Sequence, residues 1–152
     1  MSLYLEFDRI IRRFAKNNIR YAVVGGLAVG LHGHIRATED MDFLIHADDL
    51  PAVTTALRAL GYRKNSDPLS FSRAGLTLIR FWKAAARSEE LLVVDVLVPT
   101  STRMNGILRR AITLHFGKGS IHVVTSKDLL SMKRLRHSAA DRADIAALKR
   151  IS

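Results

Sequence analysis

The sequence predicts an α/β (α+β) fold, a small mixed β-sheet flanked by helices. Three observations carry this. Apolar residues recur at helical spacing near both ends of the chain. Short β-branched and apolar runs lie between them, near 21–24, 41–45, 71–82 and 91–98. Gly, Pro and Asn clusters punctuate the boundaries. The 152 residues are 48% hydrophobic, so disorder is not expected. The length suits one domain spanning 1–152, with a basic helical part from about residue 125.

Taken in order, Phe7, Ile10, Ile11 and Phe14 follow the i, i+3, i+4, i+7 rule and predict a helix over about 3–18, with Asn17-Asn18 as its stop. Residues 21–24 read as a buried strand that Gly25-Gly26 breaks, and 27–32 as a short helix. Residues 41–45 read as a second strand. Asp48 or Asp49 is expected to cap a helix with Leu50, Val53, Leu57 and Leu60 inward, ended by Gly61. Residues 71–73 and 76–82 around Ala74-Gly75 suggest a hairpin, and 91–98 a strong strand closed by Pro99. A short helix is expected over 103–110, then a second hairpin or turn from 112–116 and 120–124. Ser126 is expected to cap a helix carrying Leu129, Leu130, Met132 and Leu135. A last helix is expected over about 139–151, with Ile145 and Leu148 inward. Helices 3–18, 49–60 and the C-terminal pair are expected to share one face of the sheet.

The chain has no cysteine, which excludes disulfides, thiolate metal sites and a cysteine nucleophile, and makes a cytoplasmic protein the expectation. No run approaches about 18 uninterrupted apolar residues, so no membrane span is expected. The first residues, MSLYLEFDRIIRRF, lack the basic-then-apolar layout of a signal peptide. The net charge of +10 is uneven: residues 1–100 hold 13 basic against 11 acidic residues, and 101–152 hold 11 against 3. That basic last third suits nucleotide phosphates, nucleic acid or an acidic partner, or is simply a solvated face.

Three features carry chemistry. Gly25-Gly26 joins a strand to a helix, where glycine lets the backbone approach a ligand and the opening N–H groups favour anions; Gly-Gly turns are also common for purely structural reasons. Asp40-Met41-Asp42 enters a strand, whose alternation puts Asp40 and Asp42 on one face, where they repel unless a cation lies between them or solvent screens them. Asp95 stands inside the apolar run 91–98, where a buried acid needs compensation by a metal, by an Arg or by a sheet edge. Joined, the three describe a site in which carboxylates hold two cations about 3.5–4 Å apart, suited to Mg²⁺ or Mn²⁺, and a glycine turn cradles a triphosphate. Other patterns are absent: there is no H-E-x-x-H, no EF-hand loop, no G-x-G-x-x-G and no P-loop Lys-Ser/Thr. His32 and His34 read as surface residues rather than ligands. Trp82 beside Phe81 reads as core or partner surface.

Val23-Val24-Gly25-Gly26, thirteen residues, Asp40-Met41-Asp42-Phe43 and the later Asp95 resemble the signature of the DNA polymerase β-like nucleotidyltransferase superfamily. The segment Arg36-Ala37-Thr38-Glu39-Asp40-Met41-Asp42 resembles the R-x-T-x-D-x-D form of small bacterial and archaeal members, among them minimal nucleotidyltransferases, lincosamide-type resistance enzymes and AbiEii-type toxins. Ser126 to Lys133, followed by Asp141-Arg142-Ala143-Asp144-Ile145, is similar to a recurring C-terminal element of these proteins, so the resemblance covers about 20–150. It implies a polymerase β-like nucleotidyltransferase fold and roles position by position. Asp40 and Asp42 ligate both metals. Asp95 binds the catalytic metal and helps deprotonate the attacking hydroxyl. Gly25 and Gly26 face the triphosphate, Arg36 and Thr38 flank it, and Lys133 reaches a phosphate from the tail. Many members have Ser where Gly26 stands, so phosphate binding here rests on the backbone donor alone.

The function this implies is Mg²⁺-dependent (or Mn²⁺-dependent) transfer of a nucleoside monophosphate from an NTP to a hydroxyl on a protein, a tRNA or a small molecule. The chain is short for an enzyme with its own acceptor domain, which favours a partner or a homo-oligomer that completes the pocket, within a toxin–antitoxin pair as one setting. The alternative is a binding module of the same fold that neutralises or presents a partner without catalysis. A third reading is a non-specific RNA binder using the basic tail.

Overall fold

The computed structural model describes residues 3–34, 38–65, 67–85, 89–116, 118–134, 146 and 148–150. The chain runs α1 (Leu3–Lys16), β1 (Tyr21–Val24), α2 (Gly25–Leu31), β2 (Asp40–Ile45), a 3-10 turn at Ala47–Asp49, α3 (Leu50–Ala59), β3 (Arg63–Lys64), β4 (Leu69–Phe71), β5 (Leu76–Ala84), β6 (Leu91–Pro99), α4 (Thr102–Arg109), β7 (Ile112–Phe116), β8 (Gly119–Val123) and α5 (Ser126–Arg134). The mixed α/β architecture is the one expected. The strands form one sheet in the order β3-β5-β6-β2-β1-β8-β7, with β4 also paired to β5. β2 lies parallel to β6 and antiparallel to β1, while β5 and β6 form the longest antiparallel ladder.

Alternation divides the central strands. Met41, Phe43 and Ile45 are fully buried on one face of β2, while Asp40 and Asp42 take the other. α1 covers the apolar face with the stripe read from the sequence. Phe7 stacks on Phe43 at 5.9 Å between ring centroids, and Phe14 meets Phe43 edge-on at 5.3 Å and Tyr21 at 5.5 Å. α3 packs beside α1 through Val53 and Leu57.

Several boundaries differ from expectation for identifiable reasons. Gly25 and Gly26 do not form a loop: α2 begins on Gly25 itself. Asp49 takes the N-cap position of α3, as one of the two expected candidates, but its side chain makes no capping hydrogen bond. The Asp49 carboxylate instead accepts from the Arg20 backbone N–H at 2.9 Å and from its guanidinium at 3.0 and 3.1 Å, and this pairing holds its pKa below the ordinary value. The hydroxyl at the start of α5 that accepts from the Asp128 N–H is Thr125, one residue before the expected Ser126. The helix expected over 139–151 lies mostly outside the described residues, as does Ile145. Residues 148–150 are helical and Leu148 is fully buried. No helix among the described residues is long and apolar enough to cross a membrane.

One buried charge cluster ties the helical layer to the sheet. Glu6 is fully buried on the apolar side of α1. It accepts from the Tyr62 hydroxyl at 3.0 Å, pairs with Lys83 of β5 and receives Arg9 at 3.3 Å. Lys83 also donates to the Leu60 carbonyl at 3.0 Å and lies 4.7 Å from the Tyr62 ring centroid. Burial, then the Glu6 charge, pushes the Tyr62 phenol well above its ordinary pKa, so it stays a donor. Removing one partner of such a group leaves the others buried and unmatched. Glu6→Gln is therefore expected to lower unfolding stability by about 2–3 kcal/mol in a urea titration, with unchanged far-UV circular dichroism.

Candidate functional site

The register of three strands builds the site. On the parallel pair, Asp42 of β2 stands opposite Asp95 of β6, and Asp40 opposite Val93. On the antiparallel pair, Asp95 stands opposite Arg80 of β5. On the other side, Asp42 stands opposite Val24, the last residue before Gly25. Residues in register point to the same face, so Arg80, Asp95 and Asp42 form a row across three strands, with Asp40 two residues along. Strands are about 4.8 Å apart, and at that separation two carboxylates repel by about 3 kcal/mol at an effective dielectric near 20.

Arg80 offsets that repulsion. Its Nε donates to Asp95 Oδ1 at 2.8 Å and its terminal nitrogen to Oδ2 at 2.9 Å, a two-pronged pairing. The Asp95 side chain is 7% exposed and that of Arg80 46%. Asp95 raises the Arg80 pKa above its ordinary value, with Asp40 and Asp42 adding in the same direction, so one guanidinium serves three carboxylates. Of the compensations the sequence left open for Asp95, the structure has the arginine. Arg80 itself was missed. The signal was there, a lone charge in the apolar run 76–82, but which acid it faced depended on strand register.

Gly25 touches the same row. Its φ is +68°, and a Cβ built on it would lie 1.9 Å from Asp42 Oδ2. Glycine is required twice over, for the left-handed backbone and for the approach of the carboxylate. Gly26 is buried in the first turn of α2. Thr38 precedes the acidic strand and donates to the Asp40 carbonyl at 3.3 Å, holding the strand's start. Arg36 lies outside the described residues. Lys133 is 4% exposed on α5, which packs against α2, so it is not an exposed helix lysine. His32 is neither ligand nor idle surface: its Nε2 bonds the Val124 carbonyl at 2.8 Å and fixes the end of α2 to the end of β8. Trp82 lies one row from Arg80, with the Arg63 guanidinium 5.7 Å from its ring centroid.

The donor set suits a hard divalent cation, since all its atoms are carboxylate oxygens. Among the described residues, no three Asp, Glu or His side chains converge to hold a metal, and both Asp95 oxygens are bonded to Arg80. Asp40, Asp42 and Asp95 are the residues of this face whose chemistry would suit such a cation, with the Asp95 carboxylate held by the guanidinium in this arrangement. A separate cavity of about 350 Å³, lined by His46, Ala47, Thr102, Asn105, Leu108 and Arg109, lies past the far end of β2 and contains none of these acids.

A family model described as uncharacterised nucleotidyltransferase matches residues 1–145. Among solved structures, the chain is similar to an antigenic nucleotidyltransferase-like protein from Paracoccidioides brasiliensis, at 23% identity over 90% of this chain and 70% of that one, with a TM-score of 0.61. It is similar to the lincosamide antibiotic adenylyltransferase LnuA in its lincomycin-bound form, at 18% identity over 97% and 96% of the two chains, with a TM-score of 0.60. A putative nucleotidyltransferase from Thermotoga maritima matches at 12% identity over 92% and 91%, with a TM-score of 0.61. No curated protein matches the chain.

Two of the three glycines of α2, Gly25 and Gly30, give a paired test of the site's packing. Gly25→Ala is expected to cost about 2–3 kcal/mol in unfolding, from the left-handed backbone and displacement of Asp42. Gly30→Ala meets nothing within 4 Å of the added methyl and is expected to be neutral or to stabilise by up to about 1 kcal/mol. Chemical denaturation of both variants beside wild type reads the difference.

Proposed function

The chain belongs to the uncharacterised nucleotidyltransferase family, and from that membership we propose that it transfers a nucleoside monophosphate from an NTP to an acceptor hydroxyl, with Mg²⁺ or Mn²⁺. The observation that carries this reading is the row in which Asp42 and Asp95 face one another on parallel strands, with Gly25 against the Asp42 carboxylate. Carboxylates brought together at such cost have a use when a polyphosphate and its cation fill the space between them.

In this reading Asp40, Asp42 and Asp95 hold the cation, which when bound neutralises phosphate charge and lowers the pKa of the acceptor hydroxyl. Gly25 and Gly26 let the triphosphate approach the backbone at the start of α2. Thr38 keeps the acidic strand in place, and Arg36 and Lys133 are the cations assigned to phosphate. Asp95, on the β6 side, takes the proton of the acceptor hydroxyl as its oxygen attacks the α-phosphorus. The bond from that phosphorus to the bridging oxygen breaks, and pyrophosphate leaves with the electron pair. Positioning and charge carry most of the work.

The acceptor is assigned as a hydroxyl of a small molecule. LnuA is lincomycin-bound and is covered over 96% of its length by this chain, which supports a small-molecule acceptor.

A thermal melt tests the nucleotide half directly. A shift of about 5–10 °C is expected with NTP and Mg²⁺ together at a hundredfold excess over Kd, and none in Asp42→Ala. Wild type that shows no shift with any NTP and Mg²⁺ overturns the proposal.

A further inference from the structure

We propose that Arg80 is a positioning residue that holds the Asp95 carboxylate when no cation is bound and competes with the divalent cation for it. This deepens the proposed function and rests on it for the identity of the cation. Three observations on the row carry the inference. Arg80 binds both oxygens of Asp95 and so occupies the fork between them, the place a cation chelated by both oxygens would take. Asp95 is almost wholly buried, so an unpaired carboxylate there is costly and one counter-ion must replace another. Arg80 is half exposed, so its guanidinium has solvent into which it can swing when the carboxylate is taken.

The charges agree. Asp40 and Asp42 share the face of Asp95 and both act on Arg80 in the same direction as Asp95 does. Full engagement of Asp95 by a cation requires the guanidinium to move outward, where it stands beside the site on the β5 side, one row from Trp82 and Arg63. Arg80 thereby keeps the row stable in the cation-free protein and sets the order of events, with the third carboxylate delivered only after cation binding.

The test compares wild type, Arg80→Gln, Arg80→Lys and the double variant Arg80→Gln/Asp95→Asn in two measurements on the intact chain. The first is Mn²⁺ binding, followed by loss of the free-ion electron paramagnetic resonance signal, with Mn²⁺ alone as probe. Arg80→Gln is expected to bind Mn²⁺ about tenfold more tightly than wild type, as removal of one neighbouring positive charge implies. Arg80→Lys, which keeps the charge and loses the two-pronged geometry, is expected to fall between them. The second is thermal unfolding. Arg80→Gln is expected to melt below wild type in chelator and to recover with Mn²⁺. The double variant, in which no buried charge is left unmatched, is expected to melt near wild type and to lose the tightened Mn²⁺ binding.

A merely structural arginine would lower the melting point without tightening Mn²⁺ binding, and that result overturns the proposal. Equal Mn²⁺ affinity in wild type and Arg80→Gln overturns it while leaving nucleotidyl transfer standing. Absence of Mn²⁺ binding in every variant, together with no NTP-dependent shift in wild type, overturns both. Should Arg80→Gln fail to fold, Arg80→Lys and the double variant still decide between these outcomes.

Discussion

Asp42 and Asp95 stand side by side on parallel strands, and much of the site follows from the repulsion between them. Two ionised carboxylates about 5 Å apart on a sheet face are stable only beside positive charge. β5 supplies it, by pairing with β6 so that Arg80 falls opposite Asp95. Gly25, directly after β1, leaves space for the Asp42 carboxylate, which a side chain there would strike. A slip of one residue between β5 and β6 would send Arg80 to the covered face, because side chains alternate with every residue. The longest ladder in the sheet, β5 with β6, is thus also the one that aligns the compensating charge.

A second charged group, remote from the first, obeys the opposite rule. Glu6, Lys83 and Tyr62 are on the covered side and satisfy one another's hydrogen-bonding capacity. Their arrangement is closed, and it fixes α1 to β5. The row on the open face is unlike it: a half-exposed guanidinium holds a buried carboxylate, with two further acids on the same face. Closed clusters of this kind hold a fold together, whereas an excess of carboxylates with a displaceable partner is what a cation-dependent site requires.

Part of the basic surplus in the last third is also absorbed by structure. Arg110 donates to both oxygens of Asp128 at 3.0 and 2.9 Å, joining the end of α4 to the first turn of α5. Lys133 is buried where α5 meets α2. Both residues therefore serve the packing around α5 as well as adding to the basic charge of this part of the chain.

Periodicity and turn chemistry determined most of the elements, though not β3 or the bounds of β4, whose residues lie at 69–71 rather than 71–73. The apolar stripe Phe7, Ile10, Ile11, Phe14 had to be a one-sided helix, the runs at 21–24, 41–45 and 91–98 had to be strands, and Asp40 and Asp42 had to share a face, since these follow from repeats of 3.6 and 2 residues. The motif of Gly25, Asp40, Asp42 and Asp95 was legible for the same reason and through its resemblance to a family that the match over residues 1–145 bears out. Pairing was not legible. That Arg80 answers Asp95, that the Asp49 side chain is taken by Arg20 rather than bonding the α3 backbone, and that Glu6 is buried with Lys83 and Tyr62 all join residues from 15 to 77 positions apart. Local sequence sets which face a side chain takes; which partner stands on that face is decided by strand order and register, and these emerge when the whole sheet closes over its core.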